Sequence, residues 1–240
     1  PLYYNNIMEI SPDTESNKKV IIIGIIIAFF AIALFTNGFG ILGLIISPNE
    51  NTLLEIGGSP VLGNTDAPVT IYEFSDFSCP ACALAAGYNQ EAIAALKSKD
   101  ASWEVPLPKI KETYVQEGKV KIVFKYFPGH GTAKAAHLVA LALSEQGLFW
   151  QFHDKAFENQ ADTGNIEKMR AIAQEIGANM KKLDEAIKFG KGEELLKKDI
   201  AMGKSAGIKG TPSFIINGKL ISGAESFAEF KKVIDKELNA

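Results

Sequence analysis

The chain holds two cysteines, and they lie two residues apart in the sequence Cys79-Pro80-Ala81-Cys82. Two thiols at this spacing can alternate between a dithiol and a disulfide, or they can supply two of the four ligands of a tetrahedral metal site. A purely structural bridge is a third alternative, although so short a loop would restrict the unfolded chain only slightly. The spacing therefore predicts redox chemistry first.

The predicted elements on either side of the cysteines favour the redox interpretation. Residues 69–74 are rich in β-branched and aromatic side chains, which predicts a strand, and an Ala-rich helical run begins at Pro80, with Gly87 as its weak point. Unpaired N–H groups at the start of a helix stabilise a thiolate. We therefore expect Cys79 to be the attacking cysteine, and Cys82, within the first turn, to resolve the mixed disulfide.

Glu73 is the single charged residue of the predicted strand 69–74. A buried carboxylate costs free energy unless it has a partner or a chemical task. Because this strand leads into the cysteine turn, Glu73 is a candidate site residue. An exposed position on an edge strand is the alternative, and an ion pair with Lys125 would require both side chains on one face of the sheet.

The histidines give little support to a metal site. Two thiolates would need two further ligands, and the chain offers only His130, His137 and His153, without the spacing of a zinc finger. We expect His137 to be a packed or surface histidine and His130 to lie in a loop. No cofactor-binding motif is found, so the expected redox centre is the cysteine pair itself, as a redox-active disulfide.

The composition is that of a globular chain. With 47% hydrophobic and 22% charged residues, the 240 residues can bury a sizeable core. Twenty-five basic and 28 acidic residues give a formal net charge of −3, without the clustered basic excess that is typical of nucleic-acid binding. We therefore expect no nucleic-acid partner.

The N-terminal part predicts a membrane anchor. Lys18 and Lys19 precede an uncharged, mostly apolar run over 20–46, and a spanning helix needs roughly 20 such residues. The positive-inside tendency places the tail 1–19 in the cytoplasm and the chain after the anchor outside it. A cleaved signal peptide and a buried core helix are the alternatives. Turn-forming residues over 47–59 predict a linker.

Residues 60–240 predict one α/β domain. A second strand over 119–127 indicates a parallel pair with a crossover connection. Helical apolar spacing follows in five segments: 132–146, 149–159, 166–176, 180–189 and 193–206. Asn217-Gly218 then predicts a β-hairpin, and a helix over 227–238 closes the domain.

This order of elements resembles the DsbA-like family of thiol–disulfide oxidoreductases. The resemblance rests on the CPAC motif after the first strand, the Gly-Thr-Pro turn at 210–212, and the stretch 145–150 that follows the KYFP strand end. It covers about residues 60–240. It implies a thioredoxin-like fold with an inserted α-helical domain at about 130–206, preceded here by the predicted transmembrane helix.

The family resemblance also implies roles for individual residues. Thr211-Pro212 would form a cis peptide that faces the cysteines and presents backbone groups to an extended client segment, with Pro80 and Ala81 beside it. Glu73 would take part in proton transfer to or from the second cysteine. The implied protein is a membrane-anchored oxidoreductase that acts outside the cytoplasm on client proteins, together with a membrane redox partner.

One departure from the family concerns the reduction potential. Many DsbA-like oxidases have a histidine directly before the second cysteine, where this chain has Ala81. We therefore expect a less oxidising pair. A reductase or isomerase driven by a membrane electron donor is the alternative within the class, and a redox-inert binding or metal-delivery module is the alternative outside it.

Overall fold

The structure, a computed structural model, describes residues 54–129 and 131–240. The tail 1–19, the predicted anchor 20–46 and the first part of the predicted linker lie outside the described residues. Within the described ranges, no helix combines the length and the apolar character needed to cross a membrane.

A mixed five-stranded sheet forms the centre of the described domain. Its strands are β1 (Val61–Leu62), β2 (Val69–Ser75), β3 (Val120–Tyr126), β4 (Ser213–Ile216) and β5 (Lys219–Ser222). They lie in the order β1-β3-β2-β4-β5, with β2 and β3 parallel and the other neighbouring pairs antiparallel. The strand before the cysteines is therefore the central one, held by hydrogen bonds on both sides.

The helix after the cysteines is shorter than an uninterrupted Ala-rich run would give. α1 (Pro80–Ala86) ends at Gly87, whose φ of 92° lies in the left-handed region that favours glycine. The Asn89 side chain then caps α2 (Gln90–Lys99) by accepting a backbone N–H. The weak point at Gly87 therefore divides the predicted helix into two.

A third short helix completes the crossover between the parallel strands. α3 (Pro106–Ile110) begins with a proline in its first turn and continues as a π-helical turn over Lys111–Val115. The chain then enters β3. The predicted parallel pair with a helical crossover is confirmed.

A helical block follows β3. Its helices are α4 (Lys134–Ser144), α5 (Phe149–Glu158), α6 (Ile166–Glu175), α7 (Met180–Lys188) and α8 (Lys191–Ser205), with a 3-10 turn at Gln160–Asp162. Asn165 and Asn179 cap α6 and α7 by accepting backbone N–H groups. After the β4–β5 hairpin, α9 (Phe227–Leu238) closes the domain. All five predicted helical segments form.

The alternation of side chains along β2 creates two cores, one on each face of the sheet. Val69 and Ile71 join the larger core, which includes both cysteines and residues of the helical block. Phe74 points to the other face, where it packs with Phe127 and Ala206 in a smaller core. The redox pair therefore lies between the sheet and the inserted helices.

The last residues of the predicted linker are fixed to the smaller-core face. The Nζ atom of Lys125 donates to the Ser59 hydroxyl (2.7 Å) and to the Ile56 carbonyl (3.2 Å). It also lies 3.2 Å from the Asp199 carboxylate, and both of these side chains are buried. Hydrogen bonds from Lys125, which also forms a buried ion pair with Asp199, therefore attach residues 54–59 to the sheet.

The same register excludes the ion pair between Lys125 and Glu73. Lys125 lies opposite Phe74 in the parallel β2–β3 pair, and Glu73 lies opposite Phe124. Because neighbouring residues of a strand point to opposite faces, the two charges lie on different sides of the sheet. Glu73 is buried with 1% exposure, so the alternative of an exposed edge position is also wrong.

Candidate active site

The two cysteines lie at the start of α1, and both thiols are free in this structure. Cys79 is the N-cap residue, and the backbone N–H groups of Cys82 and Ala83 donate to its carbonyl (3.0 and 3.1 Å). Pro80 occupies the first helical turn, where its missing N–H would have had no partner. The sulfur of Cys79 therefore lies at the N-terminal end of the helix.

The environment of Cys79 favours its thiolate. Hydrogen bonding from the Cys82 thiol, the Thr211 side chain and the N–H groups of the first turn lowers the pKa of Cys79 to about 5, against the opposing effect of burial. A thiol with this pKa is ionised at neutral pH and can attack a disulfide.

The environment of Cys82 has the opposite effect. Cys82 is fully buried, and burial together with the neighbouring Cys79 raises its pKa well above that of a free thiol. Cys82 therefore holds its proton while Cys79 is ionised. The two thiols of the motif are chemically distinct, with the lower pKa at the first position.

The Thr211–Pro212 peptide is cis, and it faces the cysteines. The carbonyl oxygen of Thr211 lies 3.3 Å from the Sγ atom of Cys79. Pro212 is buried and its carbonyl accepts the Gly223 N–H (2.8 Å). Next to this turn, Pro80 is exposed and Ala81 half-buried, which leaves this side of the site open to a second molecule.

Asp76 organises the turn between β2 and α1, and the sequence analysis missed it. Its Oδ1 atom accepts from the Ser78 N–H (2.9 Å) and hydroxyl (2.8 Å), and its Oδ2 atom accepts from the Gly129 N–H (2.7 Å). Burial alone would raise the pKa of Asp76, but contacts with His137 and Ser78 hold it below its usual range. The carboxylate therefore joins the cysteine turn to the loop after β3.

Gly129 lies close to Cys79 and to the cis turn. A Cβ atom at this position would lie 2.3 Å from the Thr211 hydroxyl oxygen and 3.6 Å from the Cβ atom of Cys79. The first distance is far below a van der Waals contact. A larger residue here would therefore force the Thr211 side chain to move, which favours glycine where these three loops approach one another.

Gln160 connects the inserted helices to the cysteine turn. Its Nε2 atom donates to the carbonyls of Phe77 (2.9 Å) and Cys79 (3.0 Å). No local pattern predicts this contact, because Gln160 and Cys79 lie 81 positions apart in the chain. The helical block thus contributes directly to the backbone of the site.

Glu73 is buried on the same face of β2 as Val69 and Ile71, which belong to the larger core. Both carboxylate oxygens are buried without a regular hydrogen-bond partner among the described residues. Burial raises the pKa of Glu73, and the neighbouring His153 and Ser75 oppose this increase. Ser75 also lowers the pKa of Cys82, so Ser75 is a neighbour of both groups, although its hydroxyl oxygen has no hydrogen-bond partner among the described residues.

His137 is a packed histidine, as the sequence predicts. Its ring is buried against Phe77 and Tyr126 at centroid distances of 4.6 and 4.0 Å. Burial lowers the pKa of His137, against the opposing effect of Asp76, and its Nε2 atom lies 3.3 Å from the Phe77 backbone nitrogen. Its Nε2 atom also lies 3.5 Å from Asp76, so His137 supports the cysteine turn from behind.

Ligands for a metal do not converge in the part of the chain that the structure describes. No group of three or more His, Cys, Asp or Glu side chains has a metal-binding arrangement there. His153 lies in α5, and His137 lies in α4.

Comparisons with known proteins agree with this geometry. The family described as Thioredoxin matches residues 55–101 and 98–236. Disulfide bond formation protein D of Bacillus subtilis (strain 168) is 32% identical over 193 residues, which cover 76% of this chain and 78% of that protein. The probable disulfide bond formation protein D of Bacillus anthracis is 30% identical over 238 residues, which cover 93% and 99%.

A solved structure gives the same result. The crystal structure of oxidised BdbD from Bacillus subtilis matches with a TM-score of 0.63 and 28% sequence identity. The match covers 78% of this chain and 96% of that chain. Sequence and fold therefore point to the same group of proteins.

Proposed function

Since the chain belongs to the DsbA-like family of thiol–disulfide oxidoreductases, we propose that it exchanges disulfides with client proteins through Cys79 and Cys82. The direction that we propose is oxidation of the client. The low pKa of Cys79 stabilises the reduced pair relative to its disulfide, which makes a dithiol–disulfide couple more oxidising. The relatives described above are named for disulfide bond formation.

One arrangement carries this proposal: Cys79 lies at the start of α1 beside the cis Thr211–Pro212 peptide, and Cys82 is fully buried within the first turn. Hydrogen bonding there lowers the pKa of Cys79, and burial raises the pKa of Cys82. In the first step, a client thiolate attacks the Cys79 sulfur of the oxidised pair. The bond between the two cysteine sulfurs breaks, and the electron pair leaves with Cys82, which takes up a proton. A second client thiolate then attacks the client sulfur and releases the Cys79 thiolate, so that two electrons pass from client to enzyme.

Regeneration of the disulfide requires the reverse movement of the proton. The Cys79 thiolate attacks a disulfide of the membrane redox partner, and Cys82 must lose its proton before it can attack the Cys79 sulfur. Glu73, which like Cys82 is influenced by the neighbouring Ser75, is the proposed proton acceptor. Neither carboxylate oxygen of Glu73 has a hydrogen-bond partner among the described residues, which supports this role.

The client segment would bind along the cis turn. Thr211 and Pro212 would present backbone groups to an extended segment, as an added strand pairs with a sheet edge. Pro80 and Ala81 would form the opposite side of the contact, since they follow the attacking cysteine and remain partly accessible.

We place the enzyme at the cell membrane, with the catalytic domain outside the cytoplasm. The apolar run 20–46 would be the single anchor, with the tail 1–19 inside. An oxidising compartment is also where a protein disulfide persists.

Trapping with single-cysteine variants tests this function. In the Cys82→Ser variant, a mixed disulfide on Cys79 cannot be resolved, so we expect client proteins bound through Cys79 on non-reducing gels. The matched Cys79→Ser variant should trap none. Equal trapping by both variants, or by neither, would show that the assigned roles are wrong.

Redox titration of the full-length chain separates the alternatives. We expect a reversible two-electron couple; a chain that does not titrate would be a redox-inert module, and stoichiometric copper or zinc after purification would favour metal delivery. A couple as reducing as that of thioredoxin, about −270 mV, would favour the reductase alternative.

A further inference from the structure

A cavity of about 200 Å³ has Glu73 in its lining. It lies between the sheet, the end of α1, the α3 segment and α5, with Ala86 and Tyr88 in its lining. Cys79 lies at the opposite end of α1, roughly 10 Å away for seven helical residues. The cavity therefore reaches the core from the side that a client on Cys79 would not cover.

Two buried polar groups without regular partners line this cavity. Both carboxylate oxygens of Glu73 and the Nε2 atom of His153 are buried, and none of them has a hydrogen-bond partner among the described residues. The residues are 1% and 4% exposed. A cavity of this volume has room for several water molecules, each of which takes about 30 Å³. Glu73 and His153 therefore face a common space that can hold water.

Asp154 fixes the orientation of the His153 ring. The Nδ1 atom of His153 lies 2.9 Å from the Oδ1 atom of Asp154. Burial opposes ionisation of Asp154, yet the hydrogen bond with His153 lowers the pKa of Asp154, so it is a carboxylate. Nδ1 therefore carries the hydrogen, and the lone pair of Nε2 is directed elsewhere and can accept a proton.

We propose that His153 carries the proton between Glu73 and the water of this cavity, with Asp154 as its positioning residue. This inference rests on the proposed function, in which Cys82 exchanges a proton in each turnover. During regeneration the proton moves from the Cys82 sulfur to the Glu73 carboxylate, then through water in the cavity to Nε2 of His153, and finally to bulk water. During client oxidation it moves in the reverse direction, and no electron transfer is involved in either movement.

Other charged and titratable groups face the same space. Lys111 from the π-helical turn and the Tyr88 hydroxyl line the cavity. Burial and the nearby Asp154 raise the pKa of Tyr88, which stays neutral. His137 influences the buried cluster from α4 but has its own partner, the Phe77 N–H. Among these groups, His153 combines a free nitrogen with a position beside Glu73.

The test follows resolution of a mixed disulfide on the full-length chain. Reduced protein is mixed with glutathione disulfide, which forms a mixed disulfide with Cys79. The rate at which Cys82 then resolves this mixed disulfide is measured as a function of pH. The reactivity of Cys79 is measured separately, by its rate of alkylation. The variants are His153→Gln, His153→Ala and Asp154→Asn. The side chain of Asp154 is 46% exposed, so its replacement should not prevent folding. Ile122→Val, which changes the cavity wall without a titratable group, is the control.

We expect resolution in His153→Gln to be roughly 10-fold slower or more at neutral pH, with a smaller loss in Asp154→Asn. Alkylation of Cys79 should keep its pH midpoint in all variants. Added imidazole should restore the rate of His153→Ala but leave Ile122→Val unchanged, a rescue that a purely structural role would not give.

Three results would overturn the proposal. They are resolution in the His153 variants within twofold of the control, a slow variant that imidazole does not restore, or an Asp154→Asn variant with the wild-type pH profile. If Glu73→Gln resolved the mixed disulfide slowly and His153→Gln resolved it at the wild-type rate, only the proposed role of His153 would be contradicted. A wild-type chain that does not resolve mixed disulfides would instead contradict the proposed function.

Discussion

The Thr211 carbonyl oxygen lies 3.3 Å from the Cys79 sulfur, although 132 residues separate them in the chain. The antiparallel pairing of β4 with β2 produces this contact, because it brings the cis turn before β4 next to the end of β2. The Cys79 sulfur therefore has a helix start on one side and a peptide backbone on the other. Reactivity and client binding would thus depend on the same few atoms.

The first prediction concerns the ionisation of Cys79. Alkylation by iodoacetamide should follow a titration with a midpoint of about 5. The Cys82→Ala variant should have a higher midpoint, because hydrogen bonding from the Cys82 thiol is the largest cause of the low pKa. A midpoint near that of a free thiol, about 8.5, would contradict the described geometry.

The reduction potential should lie between the values of thioredoxin and DsbA, about −270 and about −120 mV. The pKa of about 5 for Cys79 is intermediate between the attacking thiols of these proteins, at about 7 and about 3.5. The Ala81→His variant should be more oxidising, since a cation before Cys82 would stabilise the thiolate further. Equilibration with glutathione measures both values, and an unchanged potential in the variant would count against this reasoning.

Glu73→Gln should be more stable than the wild type at pH 8 and slower, by roughly 10-fold or more, in resolving a mixed disulfide. The pKa of Glu73 is raised in the folded state, so the contribution of this group to stability is complete below the unfolded pKa and is lost as pH rises through the folded pKa. Glutamine lacks this loss. Thermal unfolding from pH 4 to 8 should show a Tm difference that grows with pH.

Gly129→Ala should destabilise the protein by about 1–3 kcal/mol, as overpacking does, and reduce client trapping. The added methyl would meet the Thr211 hydroxyl and displace the cis turn from Cys79. Gly210→Ala is the matched control, since a Cβ atom there has nothing within 4 Å. Equal effects of the two substitutions in thermal unfolding and trapping would argue against the steric explanation.

Lys125→Met should cost about 3–5 kcal/mol in the free energy of unfolding, because it leaves Asp199 buried without its cation. The double variant Lys125→Met/Asp199→Leu should recover most of this loss. Denaturant unfolding of the single and double variants measures the coupling. Strictly additive losses would show that the pair does not act as a unit.

Much of the fold is determined locally and could be predicted. Hydrophobic period, glycine stops and the Asn217-Gly218 hairpin signal located β2, β3, the helical block and the closing helix. β1 was missed, since two residues, Val61 and Leu62, are too few to show a period. The helix after the cysteines divides at Gly87, the weak point that the sequence indicates, because Gly87 adopts a left-handed backbone conformation.

The position of the two cysteines at a strand-to-helix junction can be predicted from the amino-acid sequence, because it depends only on neighbouring residues. The groups that surround the cysteines follow from the packing of distant elements. Asp76, Gly129 and Gln160 contact the cysteine turn through hydrogen bonds and close approaches that cross several elements. Strand register placed Lys125 away from Glu73, and helix packing placed His153 at the Glu73 cavity. These relationships depend on how the faces of the sheet are covered, which no local pattern specifies.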